Sequence, residues 1–165
     1  MNRDDLRKAI IQAFAGVTLG EGIGLYEAQA IDDYAYPDER ADARLRDRET
    51  DWSNVTVSEL IYNDSSLSFF DPEGMRFHLG SFLLAAMDEE YGNSLIFSLT
   101  FMDDDNNSHR AHSINQFSLL DLDQRKVIGS FLRYCRDDPE YDFERISIEK
   151  ALAGYWSGDL PPPIS

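Results

Sequence analysis

One stretch constrains this chain more than any other: SFFDPEGMRFHLGSFLLAAM, Ser68 to Met87. Met75, Leu79, Phe82, Leu83 and Ala86 recur at helical spacing, and Phe77, Leu84 and Met87 widen the stripe almost all round. A helix that is apolar on nearly every side must be covered on nearly every side, which places it at the centre of a helical core. Two local structures compete at its start. In one, DPEG is a type I turn with Asp71 at i, Pro72 at i+1 and Gly74 at i+3, joining LSFF to MRFHL as a hairpin. In the other, Asp71 is an N-cap, Pro72 stands at the first helical position and Glu73 is an acid in the first turn. The length of the apolar pattern favours the helix, running to about Tyr91 with Gly92 just past its end. Gly80 costs about 1 kcal/mol in a helix interior and marks a kink or a close crossing.

The other segments read as helices that could surround such a centre. Asp4 to Val17 carries Leu6, Ala9, Ile10, Ala13 and Phe14 on one side, with Asp4 and Asp5 in the first turn. GLYEAQAIDDY resumes a helical pattern after Gly20, Gly22 and Gly24 and stops near Tyr36-Pro37. Thr56 or Ser58 is placed to cap one or two turns over VTVSELIYN. Asp121 with Gln124 fits a capping box for a helix from Leu122 to Cys135, whose stripe is Val127, Ile128, Phe131, Leu132 and Cys135. A last helix covers about Ser147 to Trp156, and Gly158 stops it. Leu95 to Phe101 is β-prone and pairs in principle with SINQFSLL as a small hairpin. PDERADARLRDRETD has nothing with which to anchor a core face, so it is either a solvated helix or a mobile loop, and an exposed linker is favoured. The expectation is a mainly α, single-domain, helical bundle-like fold over 1–165, allowing one small β-hairpin. Residues 37–51 are expected as an exposed linker and 159–165 as an extended tail.

Charge narrows the function. Lys plus Arg is 15 against 31 Asp plus Glu, a net charge of -16. Such a field repels phosphate backbones and anionic lipid, so nucleic-acid and membrane-surface binding are disfavoured; it steers a basic protein inward, although a solubilising acidic surface is the plainer reading of the same charge. No apolar run approaches ~18 residues and the N-terminus lacks an apolar h-region, so a cytoplasmic location is the expectation. The one cysteine, Cys135, excludes an intramolecular disulfide and lies on an apolar helical stripe, as an inert thiol would.

Catalytic and metal motifs fail at their diagnostic positions. GEGIGL lacks the G-x-G-x-x-G spacing, since Leu25 stands where a third glycine belongs, and no strand precedes it; a helix–helix turn accounts for it. His109 and His112 stand at i, i+3 near Asp103, Asp104 and Asp105, with no third ligand at recognisable spacing. Counted from Asp103 as a calcium loop, Ser108 replaces the required glycine and Ile114 the required glutamate. No cofactor and no metal set is implied.

The order IIQAF…GIGLYEAQAIDDY…DW…LSFFDPEGMRFHLGSFL…FSLLDLDQRKVIGSFLRY…ALAGYW resembles a bacterial family of small proteins classed as a domain of unknown function. Pro72, Arg76, Phe77, Leu79, Gln124, Tyr155 and Trp156 carry the match over most of the chain. Gly80 stands where that family often has proline and His78 where it often has an aromatic. The resemblance supports a helical fold and implies no activity.

The chain is therefore expected to be a non-enzymatic acidic binding protein, immunity-type or regulatory, for a basic partner. Asp32, Asp33, Asp103, Asp104 and Asp105 are its candidate partner-binding residues. The alternative is an enzyme with a polar site around Arg76 and His78, together with Asp32 or Asp33; it requires these groups to meet in one pocket. A buried Arg76 otherwise needs a carboxylate beside it as a structural ion pair.

Overall fold

The computed structural model describes residues 1–88, 91, 93–100 and 107–158. Their elements are α1 (Arg3–Ala13), α2 (Leu25–Asp32), α3 (Pro37–Arg44), α4 (Val57–Tyr62), α5 (Ser66–Phe69), α6 (Pro72–Met87), α7 (Asn93–Thr100), α8 (Asn107–Gln116), α9 (Leu122–Arg136) and α10 (Arg145–Ala153). Short 3-10 turns lie at Trp52–Asn54 and Pro139–Tyr141. No strand occurs among the described residues; this is a single helical domain.

The conspicuous apolar stretch is the central helix. Asp71 caps α6 by accepting from the Gly74 N–H at 2.9 Å, so the helix wins over the hairpin at DPEG. Twelve of its residues are buried: Gly74, Met75, the run Phe77 to Leu83, Ala85, Ala86 and Met87. α1, α4, α7 and α8 pack on it, α9 lies on α1, and α10 on α7 and α9. α6 runs unbroken through Gly80 because that glycine admits Trp52. A Cβ there would lie 2.7 Å from the indole ring. Trp52 is held on both sides, its Nε1–H donating to Phe14 O at 2.8 Å and its carbonyl accepting from Ser81 Oγ at 2.7 Å.

One expectation is corrected. Residues 95–100 are not a strand; they belong to α7, which buries Leu95, Ile96 and Leu99 at helical spacing. A β-prone composition yields to packing when a helical register buries the same residues. The first half of the partner segment of the expected hairpin, residues 113–116, is likewise helical, in α8, where the Gln116 amide donates to Leu67 O and Phe70 O at 3.0 and 2.9 Å. Within residues 37–51 part of the chain is helical. Pro37–Arg44 form α3, which buries no residue but packs on α2. The extended tail expected over 159–165 and the glycine expected to end α6, Gly92, lie outside the described residues.

Candidate functional site

The sequence singled out GEGIG and DPEG, and the fold brings them together. Asp71 Oδ1 accepts from Gly74 N and also from Ile23 N, both at 2.9 Å, so one carboxylate caps α6 and docks the glycine loop on it. A Cβ at Gly22 would lie 2.6 Å from Glu73 Cβ, and one at Gly74 would collide with the Ile23 carbonyl. These glycines serve a backbone-on-backbone contact between loop and helix, which explains their spacing without a phosphate.

Arg76 and His78 do not form one site. Residues two apart lie about 160° from each other around a helix axis. His78 is buried, its ring stacked on Phe70 at 4.7 Å and set edge-on to Phe77 at 4.9 Å. Nδ1–H donates to Gly74 O at 2.8 Å. Burial pushes its pKa down to about 4, so the imidazole is neutral at pH 7. Arg76 finds no carboxylate among the described residues, and its Nε is buried without a hydrogen-bond partner. Asp32 and Asp33 sit at the far end of α2, which packs on α3 and α5. Cys135 is buried, and burial pushes its thiol up to about 12, which suits an inert core residue.

A different cluster forms where α2 turns into α3. α2 ends in a Schellman motif: Tyr34 N–H donates to Ile31 O at 3.2 Å and Ala35 N–H to Ala30 O at 3.0 Å. The left-handed position of that motif is normally glycine, and here it is Tyr34, with φ 56. Its side chain is 93% exposed, and Tyr36 two residues on is 74% exposed. Pro37 then opens α3, and Glu39 Oε2 accepts from Tyr36 N at 2.9 Å. Asp33, Asp38 and Asp42 are exposed and Asp32 is half-buried. None of these four aspartates has an ion-pair partner among the described residues.

The bases of the same segment turn the other way. Arg40 Nε meets Glu27 at 3.0 Å, and Arg44 Nη1 meets Glu49 at 2.8 Å while its guanidinium donates to Gly20 O at 2.9 Å and Gly22 O at 3.1 Å. Arg46 lies 5.9 Å from the centre of the Tyr26 ring. Arg48 meets Glu59 at 2.8 Å. Burial alone would raise Glu59, but Arg48, Thr56 and the Tyr26 hydroxyl hold it down to about 2. Asp47 closes the anchorage by accepting from Tyr26 N at 2.8 Å and Glu27 N at 3.3 Å, which caps α2 from a distance. A Cβ on Gly24 would overlap that carboxylate. Burial raises Asp47 to about 6 despite these two donors. α3 is thus divided by charge: Arg40 and Arg44, at i and i+4, pair with Glu27 and Glu49, while Asp38 and Asp42, also at i and i+4, are exposed without an ion pair among the described residues.

The family model described as a family of unknown function, DUF6714, matches residues 2–160. The chain belongs to this family. No curated protein and no solved structure matches it.

Of the partner-binding candidates in this DUF6714 chain, Asp32 and Asp33 fall in the α2–α3 corner, whereas Asp103, Asp104 and Asp105 lie outside the described residues. His109 and His112 are exposed on α8, and His112 Nε2 reaches Ser68 O at 3.2 Å. Among the described residues no three His, Cys, Asp or Glu side chains are grouped to hold a metal ion, and no helix is long and apolar enough to cross a membrane. Sequence reasoning missed Tyr34, Tyr36, Asp38 and Asp42. The signal was present in PDERADAR, where acids and arginines each repeat at i, i+4 on different faces behind a proline start.

Proposed function

We propose that this chain is a cytoplasmic, non-enzymatic acidic binding protein that engages a basic protein partner, in the manner of an immunity or regulatory protein. One observation supports this above the others: Arg40, Arg44 and Arg48 are paired with Glu27, Glu49 and Glu59, while the aspartates of the α2–α3 corner have no ion-pair partner among the described residues. Pairing of these three arginines leaves the corner predominantly negative. Such a field raises the association rate of a cationic partner and is screened by salt. The polar groups first considered for an enzyme point apart or are packed away, and this counts against the catalytic alternative. The test is in-cell cross-linking followed by affinity capture at low and high salt, with an Asp32→Asn/Asp33→Asn/Asp38→Asn/Asp42→Asn variant in parallel. The expected result is a basic protein recovered with the wild type at low salt and lost both at high salt and with the variant. Partners that are acidic, or that survive equally with the variant, would refute it.

A further inference from the structure

We propose that residues 37–51 are a strap that detaches from α2 as a unit, with the rest of the fold intact, and so withdraws its arginines from Glu27 and Glu59. Burial is the first reason. Between Ala28 and Trp52 no residue is buried, and no apolar side chain is packed on the core. A segment with no apolar area to expose escapes the main cost of unfolding. The anchors are the second reason, because all of them are polar. Arg40 reaches Glu27, Arg48 reaches Glu59, and Arg44 donates to Gly20 O and Gly22 O. Asp47 accepts from Tyr26 N, and Glu49 O accepts from the Leu19 N–H at 2.9 Å. Arg40 and Arg48 are themselves 44% and 35% exposed, and ion pairs so placed hold weakly. The ends are the third reason. Tyr34 (φ 56) and Asp51 (φ 55) are the two non-glycine residues in the left-handed region among the described residues, and they bracket the segment. Such a conformation persists only where the surrounding structure imposes it, so closure holds strain that opening relieves. Outside these two hinges the chain is fixed by packing, at Leu25 and Ala28 on one side and at Trp52 on the other. Opening therefore stops at both. It bares the carboxylates of Glu27 and Glu59, which are 14% and 18% exposed with the strap closed, and makes this face of α2 more negative.

Amide hydrogen exchange of the full chain in dilute urea, read by NMR, tests this. Four amides report on the strap. Arg40 N–H and Leu45 N–H are bonded within it, to Tyr36 O and Ala41 O, while Leu19 N–H and Tyr26 N–H lie outside it and are bonded to Glu49 O and Asp47. All four are expected to share one opening equilibrium, at least about tenfold more populated than the opening that exposes the α6 amides. That shared opening should respond little to urea, whereas α6 should respond steeply, because urea sensitivity scales with the surface exposed. Arg48→Gln, which removes one anchor at a partly exposed position, is expected to speed all four by a common factor of about five. Tyr34→Gly, which relieves one hinge, is expected to slow all four. If Leu19 and Tyr26 exchange with α6 while Arg40 and Leu45 run ahead, α3 unwinds in place and the strap is overturned. A urea response as steep as that of α6, unequal factors in Arg48→Gln, or faster exchange in Tyr34→Gly would overturn it as well.

Discussion

Replacing Tyr34 by glycine should make this protein more stable. An L-residue in the left-handed conformation costs about 1–2 kcal/mol, and Tyr34 stands at φ 56. Glycine removes that cost and returns about 0.5–1 kcal/mol as extra freedom of the unfolded chain. With the ring 93% exposed, little burial is lost, and both Schellman hydrogen bonds are made by backbone groups that glycine retains. The net expectation is a gain of about 1 kcal/mol, or roughly 2–4 °C in Tm for a chain of this size. Gly20→Ala is the mirror experiment. Gly20 has φ +58, and a methyl placed on it would meet nothing within 4 Å, so alanine there faces only the backbone penalty. It should lose about 1 kcal/mol where Tyr34→Gly gains it. Urea denaturation followed by tryptophan fluorescence, alongside thermal melts, measures both. A destabilised Tyr34→Gly would refute the reasoning, for it would mean that the ring serves the fold.

Three further outcomes follow from the core. His78→Phe should alter the pH dependence of stability: the buried ring has a pKa near 4 against an ordinary 6.5, so the unfolded chain binds the extra proton between those values. Wild-type stability from His78 is complete above pH 6.5 and is lost as the pH falls towards 4. The shift is worth about 3 kcal/mol, so the variant should gain about that much relative to wild type between pH 7.5 and 4; a pH-independent difference in urea midpoints would contradict it. Gly80→Ala, which would normally favour a helix, should destabilise because its methyl falls 2.7–2.9 Å from the Trp52 ring, and a rise in Tm would show that the indole can move aside. Asp71→Ala removes a cap and the acceptor for Ile23 N, and about 2–4 kcal/mol should be lost by chemical denaturation, with amide exchange fastest at 20–24; a loss below about 1 kcal/mol would mean that the loop docks without it.

Much of the scaffold was legible because it rests on local chemistry. The capping box of α9 is formed, with Asp121 accepting from Gln124 N at 2.8 Å and Gln124 accepting from Asp121 N at 3.0 Å. α6 begins at its Asp-Pro signal. α7 escapes a sequence reading because Leu95, Ile96 and Leu99 suit either a strand or a buried helix face, and only neighbours decide between them. α3 stays undecided between solvated helix and loop for the opposite reason. It has no apolar face, so its anchor is a set of ion pairs and carbonyl contacts to Glu27, Glu49, Gly20 and Gly22, from other parts of the chain.

The amino-acid sequence by itself determined an all-round apolar central helix, a strong surplus of carboxylates and the chain's helical class, since periodicity, capping and net charge are properties of neighbouring residues and of their sum. Tertiary structure alone decided what those charges face. Only when α3 lies on α2 do Arg40 and Arg44 turn to internal acceptors and leave the aspartates of the corner to solvent. Only the folded backbone shows that Tyr34 occupies a glycine's conformation. Paired and unpaired charges look alike in a sequence, because pairing is a matter of distance and distance is set by the fold.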